Sequence, residues 1–178
     1  MLEKPWFSRL FRSRGRSTSA DLQNAADEAG PDAQNNLGAL LSNNDRLSEA
    51  AISYRKAAER GHAMAQSNLG LMYSTGDGIG RDDGQAEHWF GRAAAQGHPT
   101  AQFHLGNRYY RASLALAGLE AREARIEAFK WFQLAIAQGY PDADVSCERV
   151  NIAMSGEEVA EGHRRIGAFV GTAETPEA

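Results

Sequence analysis

The stretch AEHWFGRAAAQGHPTAQFHLG, Ala86 to Gly106, decides the fold. It holds the end of one amphipathic helix, a closing glycine at Gly97, and the start of a second helix four residues later. The pattern recurs along the sequence. AAISYRKAAERG ends at Gly61 and leads into AQSNLG (Ala65–Gly70), and AFKWFQLAIAQG ends at Gly139 and leads into a degraded ADVSCE (Ala143–Glu148). Gly30 leads in the same way into AQNNLG (Ala33–Gly38), and a weaker copy carrying Ala160, Gly167 and Ala168 ends at Gly171. Self-similarity at this period is the mark of a repeat array in which each unit is one supersecondary motif. Each unit holds two helices. With the first alanine as position a, Ala at a, Leu at a+4 and Tyr or Leu at a+8 form one apolar stripe, and Gly at a+5 permits close crossing. In the second helix an aromatic residue seven before the closing glycine (Tyr54, Phe90, Phe132) shares a face with Ala57, Ala93 and Ala135. The closing glycine supplies the left-handed conformation that ends the helix.

Intervals between closing glycines are 31, 36, 42 and 32 residues, so insertions fall between the paired helices. The 36-residue unit carries GDGIGRDDG (Gly76–Gly84), a loop of turn residues. The 42-residue unit lacks such a loop, and Tyr109–Glu127 reads as two helices each lengthened by about a turn around Gly118. The AQxxLG helix, the GDGIGRDDGQAEHWFGRAAAQGH segment and KWFQLAIAQGYPDA resemble the Sel-one-like repeat (SLR) family, a relative of the tetratricopeptide repeat. The resemblance is strong over Asp32–Gly139 and weak over Tyr140–Gly171. It implies an all-α fold, a right-handed α/α solenoid of helix-turn-helix repeats, used for binding other proteins and without an activity of its own. The sequence departs from the pattern where the 31-residue unit lacks the glycine loop and where the last unit has Cys147-Glu148 for Leu-Gly.

The expected organisation is a basic, disordered arm over residues 1–19, a solenoid over 20–171 and a disordered tail over 172–178. Within the solenoid a capping helix over 20–30 covers the first repeat, and the repeats run over about 31–61, 62–97, 98–139 and 140–171. Ser155 and Glu158 have the spacing of a capping box that starts a final helix with a polar outer face. Composition agrees, with 31 Ala and 18 Gly against 5 Pro in 178 residues, favouring helices that pack closely through small residues. No apolar run approaches the roughly 20 residues of a membrane span. The lone Cys147 excludes an internal disulfide framework and fits a cytoplasmic placement. A net charge of −4 argues against nucleic acid as the partner.

Candidate chemistry is sparse. Cys147 takes the buried position of Leu37, Leu69 and Leu105, so it reads as core filler. No His pairs with another His or Cys at ligand spacing, so neither a metal nor a cofactor is expected. The glycine loop lacks the order of a phosphate-binding or calcium-binding loop, and Trp89 and Trp131 occupy equivalent packing positions. A hydrolase ranks last among the function classes, because no activated nucleophile can be named.

Two segments carry functional interest. In residues 1–20, Lys4, Arg9, Arg12, Arg14 and Arg16 face one acid, leaving +4 there against −8 in the remaining residues. Trp6, Phe7, Leu10 and Phe11 interleave with Arg9 and Arg12, the composition of an arm that docks on anionic lipid. The second segment is the side of the first helices opposite the stripe, at a+2, a+3, a+6 and a+10, expected to line a concave surface. It carries Asn36 and Asn68 at one end and Phe103, His104, Asn107, Arg111 and Arg149 at the other. An aromatic anchor, amides and guanidinium groups suit an acidic or C-terminal peptide of a partner protein. The leading expectation is therefore a non-enzymatic adaptor, with a membrane-peripheral regulator as the alternative.

Overall fold

The computed structural model describes residues 18–173, in which every regular element is a helix. In order these are α1 (Ser19–Ala29), α2 (Pro31–Ser42), α3 (Leu47–Glu59), α4 (Ala63–Thr75) and α5 (Asp83–Ala95). They are followed by α6 (Pro99–Ala115), α7 (Gly118–Ala137), α8 (Ala143–Asn151) and α9 (Gly156–Ala173). The fold divides into two compact units, one up to Arg92 and one from Ala93, the division falling inside α5.

The glycine at a+5 does what its spacing predicts. A Cβ on Gly38 would lie 2.7 Å from the Tyr54 ring, one on Gly70 2.9 Å from Phe90, and one on Gly106 2.6 Å from Phe132. No side chain fits at these distances, so each first helix rests its bare backbone on the ring of its partner. Around these crossings the first unit buries Ala26, Leu37, Ala57, Leu69 and Trp89, while Leu22, Leu47 and Ile79 pack from the edge. The second buries Ala128, Phe129, Phe132, Cys147 and Val150 together.

Helix ends repeat as faithfully. Gly61, Gly97 and Gly139 all have positive φ, at 90°, 83° and 72°. Behind each, two backbone N–H groups turn back onto the helix: Gly61 to Ala58 and His62 to Ala57, Gly97 to Ala94 and His98 to Ala93, Gly139 to Ile136 and Tyr140 to Ala135. These are Schellman closures, which satisfy carbonyls that a helix end otherwise leaves open. The buried glutamine at a+1 adds a further tie. The Gln66 amide donates to the Ala58 carbonyl at 3.0 Å and that of Gln102 to Ala94 at 3.4 Å. In the first repeat Gln34 donates to the Gln23 carbonyl and, at 2.7 Å, to Asp27, so α1 takes the place of a preceding second helix.

The insertions fall between the paired helices as read from sequence, but α7 is lengthened by about two turns rather than one. Gly76 caps α4 in the left-handed conformation, and Asp82 Oδ1 accepts from the N–H groups of Gly84 and Gln85, both at 2.9 Å, to start α5. Between them Gly78, at φ 73°, passes so close to the backbone of Leu47 that any Cβ would collide. The loop is structural packing. In the 42-residue unit α6 reaches 17 residues and α7 20, against 13 for α4 and for α5, and they meet at Gly118.

The last repeat departs from the others. α8 has only 9 residues, and α9 is sealed by its predicted capping box, with Ser155 N–H donating to Glu158 at 2.6 Å and Glu158 N–H to the Ser155 hydroxyl at 3.3 Å. Gly171 does not close this helix. It lies within α9, which continues to Ala173, two residues into the expected tail. Gly171 is not among the glycines with positive φ, so its backbone makes no left-handed stop.

Candidate functional site

Helical periodicity assigns faces within one helix, and the neighbouring repeat then covers part of what it leaves open. Asn35 and Ser67, at a+2, are buried rather than exposed. Side chains of α2 and α4 meet there: Asn68 Nδ2 donates to Asn35 Oδ1 at 3.4 Å, and Asn35 Nδ2 reaches the Met64 sulfur at 3.7 Å. Asn36 and Asn68, at a+3, are half-buried. Asn68 lines a small pocket of about 140 Å³ with Leu47, Tyr54, Leu71 and Met72, all within the first unit.

In the second unit the structure brings together some of the expected cluster. Phe103 is half-buried, stacked on Tyr140 with centroids 4.6 Å apart and tilted against Phe132 at 5.7 Å. Its ring is taken up by packing and is not a free aromatic anchor. His104 adjoins it, and burial together with the charge of Arg111 holds the imidazole below its ordinary value, hence neutral at pH 7. Asn107 is half-buried between them in sequence, while Arg111 on α6 and Arg149 on α8 are exposed. What α6 offers is thus a guanidinium group, an amide and a neutral imidazole, and α8 adds an exposed guanidinium, groups that can bind carboxylates and peptide groups. The expected lipid-binding residues Trp6, Phe7, Arg9, Leu10, Phe11 and Arg12 lie outside the described residues.

Cys147 sits where its repeat position demands, 4% exposed, with burial pushing its thiol up to about 11 and only a hydrogen bond from Gln133 opposing that. At neutral pH it is a thiol, not a nucleophilic thiolate. Trp89 and Trp131 are buried, with Arg92 5.2 Å above the former ring and Lys130 Nζ 4.3 Å above the latter. Among the described residues no three His, Cys, Asp or Glu side chains converge as metal ligands. No described helix is long and apolar enough to cross a membrane.

One surface lies outside the repeat pattern. Between the lengthened halves of α6 and α7 lies a groove of about 390 Å³, lined by Tyr109, Ala112, Leu116, Leu119, Ala124 and a row of glutamates. Leu116 and Leu119 in its wall are 43% and 76% exposed, and Leu114, two residues before Leu116, is 70% exposed. The signal was present as three leucines within six residues around Gly118, in an insertion with no counterpart in the other repeats.

A family model described as Sel1 repeat matches residues 48–62, 63–98 and 99–140, just over half of the sequence. Among curated proteins, an exopolysaccharide production negative regulator of Rhizobium leguminosarum bv. viciae is 30% identical over 138 residues, 72% of this chain and 51% of the relative. A protein of the same description from Rhizobium meliloti (strain 1021) is 34% identical over 95 residues, 53% of this chain and 35% of the relative. The protein therefore spans about half or less of the curated relatives it matches. Among solved structures, a protective antigen of uropathogenic Escherichia coli displaying an SLR fold aligns with 97% of this chain and 40% of its own, at a TM-score of 0.71 and 22% identity. A Sel1 repeat protein from Oxalobacter formigenes aligns with 73% of this chain and 96% of its own, at a TM-score of 0.58 and 33% identity. These likenesses identify the fold as an α/α solenoid of the SLR type.

Proposed function

Because the chain belongs to the Sel1 repeat family, we propose that it is a non-enzymatic scaffold that holds a partner protein on the first-helix face of its second unit. The observation that carries this reading is exposed Arg111 on α6, close enough to His104 to keep that imidazole neutral, with Arg149 exposed on α8. An acidic segment or a free C-terminal carboxylate is the ligand this chemistry suits, since guanidinium groups pair with carboxylates in two-pronged geometry. The description of the rhizobial relatives, negative regulation of exopolysaccharide production, points to a partner with a regulatory role. The reading assigns the protein to a reducing, cytoplasmic compartment, on the strength of its one buried cysteine.

The test is quantitative affinity capture from the source cells with the full-length protein as bait, comparing wild type with Arg111→Ala, Arg149→Ala and Arg60→Ala. Arg60 is exposed at the end of the second helix α3 and serves as the control. A partner enriched by wild type and by the control, and weakened about 5- to 100-fold by either groove variant, supports the reading. Loss with the control alone, or equal capture by all four baits, refutes it.

A further inference from the structure

The α6–α7 groove belongs to none of the surfaces just described. Its walls are Ala112, Leu116, Leu119 and Ala124, and its volume of about 390 Å³ falls in the range of specific binding clefts, about 300–1,000 Å³. Leucines as open to water as Leu116 and Leu119, which line one groove, expose apolar area that a solvated helix hairpin does not need, and an apolar patch of this kind marks an interaction surface. Its rim is acidic. Glu120, Glu123 and Glu127 all line it. Glu127 is held by Lys130 at 2.6 Å and by Arg165 at 2.9 Å, and Glu123 meets Arg165 at 2.8 Å with more than half of its side chain exposed. Glu120, also exposed, has no ion pair among the described residues. The groove thus asks for bulky apolar side chains flanked by positive charge.

One segment of the protein has that composition. KPWFSRLFRSRGR, Lys4–Arg16, carries five positive charges and no acid. Its Trp6, Phe7, Leu10 and Phe11 recur at the i, i+1, i+4, i+5 spacing that gathers apolar side chains on one side of a recognition peptide. We propose that the α6–α7 groove receives residues 4–16 of a second copy of this protein, the aromatic side chains entering between Leu116 and Leu119 and the arginines facing Glu120 and Glu123. Residues 4–16 adjoin the start of α1 in the first unit, whereas the groove belongs to the second. A second copy supplies the segment whatever the arrangement of the two units. The ionic part of the contact weakens with salt, because its charges lie at an exposed rim.

The experiment places a benzophenone-bearing phenylalanine at position 7 of the full-length protein, mixes equal amounts of ¹⁴N- and ¹⁵N-labelled protein, and maps photo-cross-links by mass spectrometry. Cross-links from position 7 to residues 109–127 that join light to heavy copies, falling at least fivefold in Leu119→Asp/Glu120→Lys, are expected. The same double variant shifts sedimentation toward the monomer. Both changed residues are exposed, so an unchanged circular dichroism spectrum verifies the fold, and Arg9→Glu/Arg12→Glu gives the same loss without touching the groove. Cross-links confined to single-isotope species, cross-links that map elsewhere, or yields unaffected by both double variants overturn the proposal. Full cross-linking retained at 1 M salt overturns its electrostatic half.

Discussion

The crossing of α6 with α7 and the junction of α7 with α9 both seat a phenylalanine ring on a glycine, but between different kinds of helix. In the first, Gly106 of a first helix lies under Phe132 of its own partner, as Gly38 lies under Tyr54 and Gly70 under Phe90. In the second, Phe129 of α7 lies over Gly162 of α9, with a Cβ distance of 2.6 Å, so one second helix receives the ring of another. α8, with Glu148 where the glycine should be, has no such seat to offer. The regular repeats are closed by apolar contact at a bare backbone. The terminal junction adds charge: Arg125 pairs with the buried Glu158, and Arg165 reaches Glu161, Glu123 and Glu127. Glu123 and Arg165 of this network are partly exposed, and ion pairs tolerate water where an apolar face does not.

The comparison is broken first at its apolar half. Leu105→Ala empties a buried position at a+4 and is expected to lower unfolding free energy by about 2–5 kcal/mol in urea melts, with Leu69→Ala in the same range. A loss under about 1 kcal/mol at both would place the core elsewhere.

Glu158→Gln comes next, at about 1–3 kcal/mol, since it removes one partner of a charged hydrogen bond at a carboxylate only 4% exposed. Burial alone raises this carboxyl, but the Ser155 N–H and the Arg125 guanidinium outweigh it and hold the group below its ordinary 4.5. A lowered folded-state value means the stabilisation is complete above 4.5 and disappears as pH falls through the folded value. The cost of Glu158→Gln should therefore be full at pH 7 and shrink below pH 4.5, as wild type itself becomes protonated. A cost independent of pH would remove the charge from the account. Cys147→Ser should have the smallest effect, at the low end of about 1–3 kcal/mol for a hydroxyl placed in an apolar site. Wild-type Cys147 should react with a thiol reagent only at the rate of unfolding, and fast labelling of the native protein would contradict its burial.

Much of this architecture is legible in AQxxLG and the closing glycines because each encodes a local necessity: a bare backbone at Gly106, a left-handed turn at Gly97. Capping by Ser155 and Glu158 and the burial of Cys147 follow from the same local logic. The binding surfaces are less legible for a physical reason. A 100° turn per residue locates Arg111 and Arg149 correctly on open faces, yet it carries no information about the next repeat, which buries Asn35 and Ser67 and stacks Tyr140 on Phe103. The α6–α7 groove escapes because its leucines sit in an insertion, where no other repeat supplies an equivalent position. Gly171 misleads in the opposite way, matching the repeat spacing while α9 runs through it as ordinary helix.

The central claim is that a glycine under an aromatic ring sets each regular crossing, and a double-mutant cycle of Gly106→Ala with Phe132→Ala measures it most directly. With the ring present, the added methyl has no room and should cost about 1–3 kcal/mol. With the ring removed, the same change should be neutral or stabilise by up to about 1 kcal/mol, as alanine does in any open helix interior. Gly91→Ala, where a Cβ meets open space, provides that reference and should itself stabilise by about 0.5–1 kcal/mol. A change of sign between the two backgrounds is the predicted result, and an equal loss in both would contradict it.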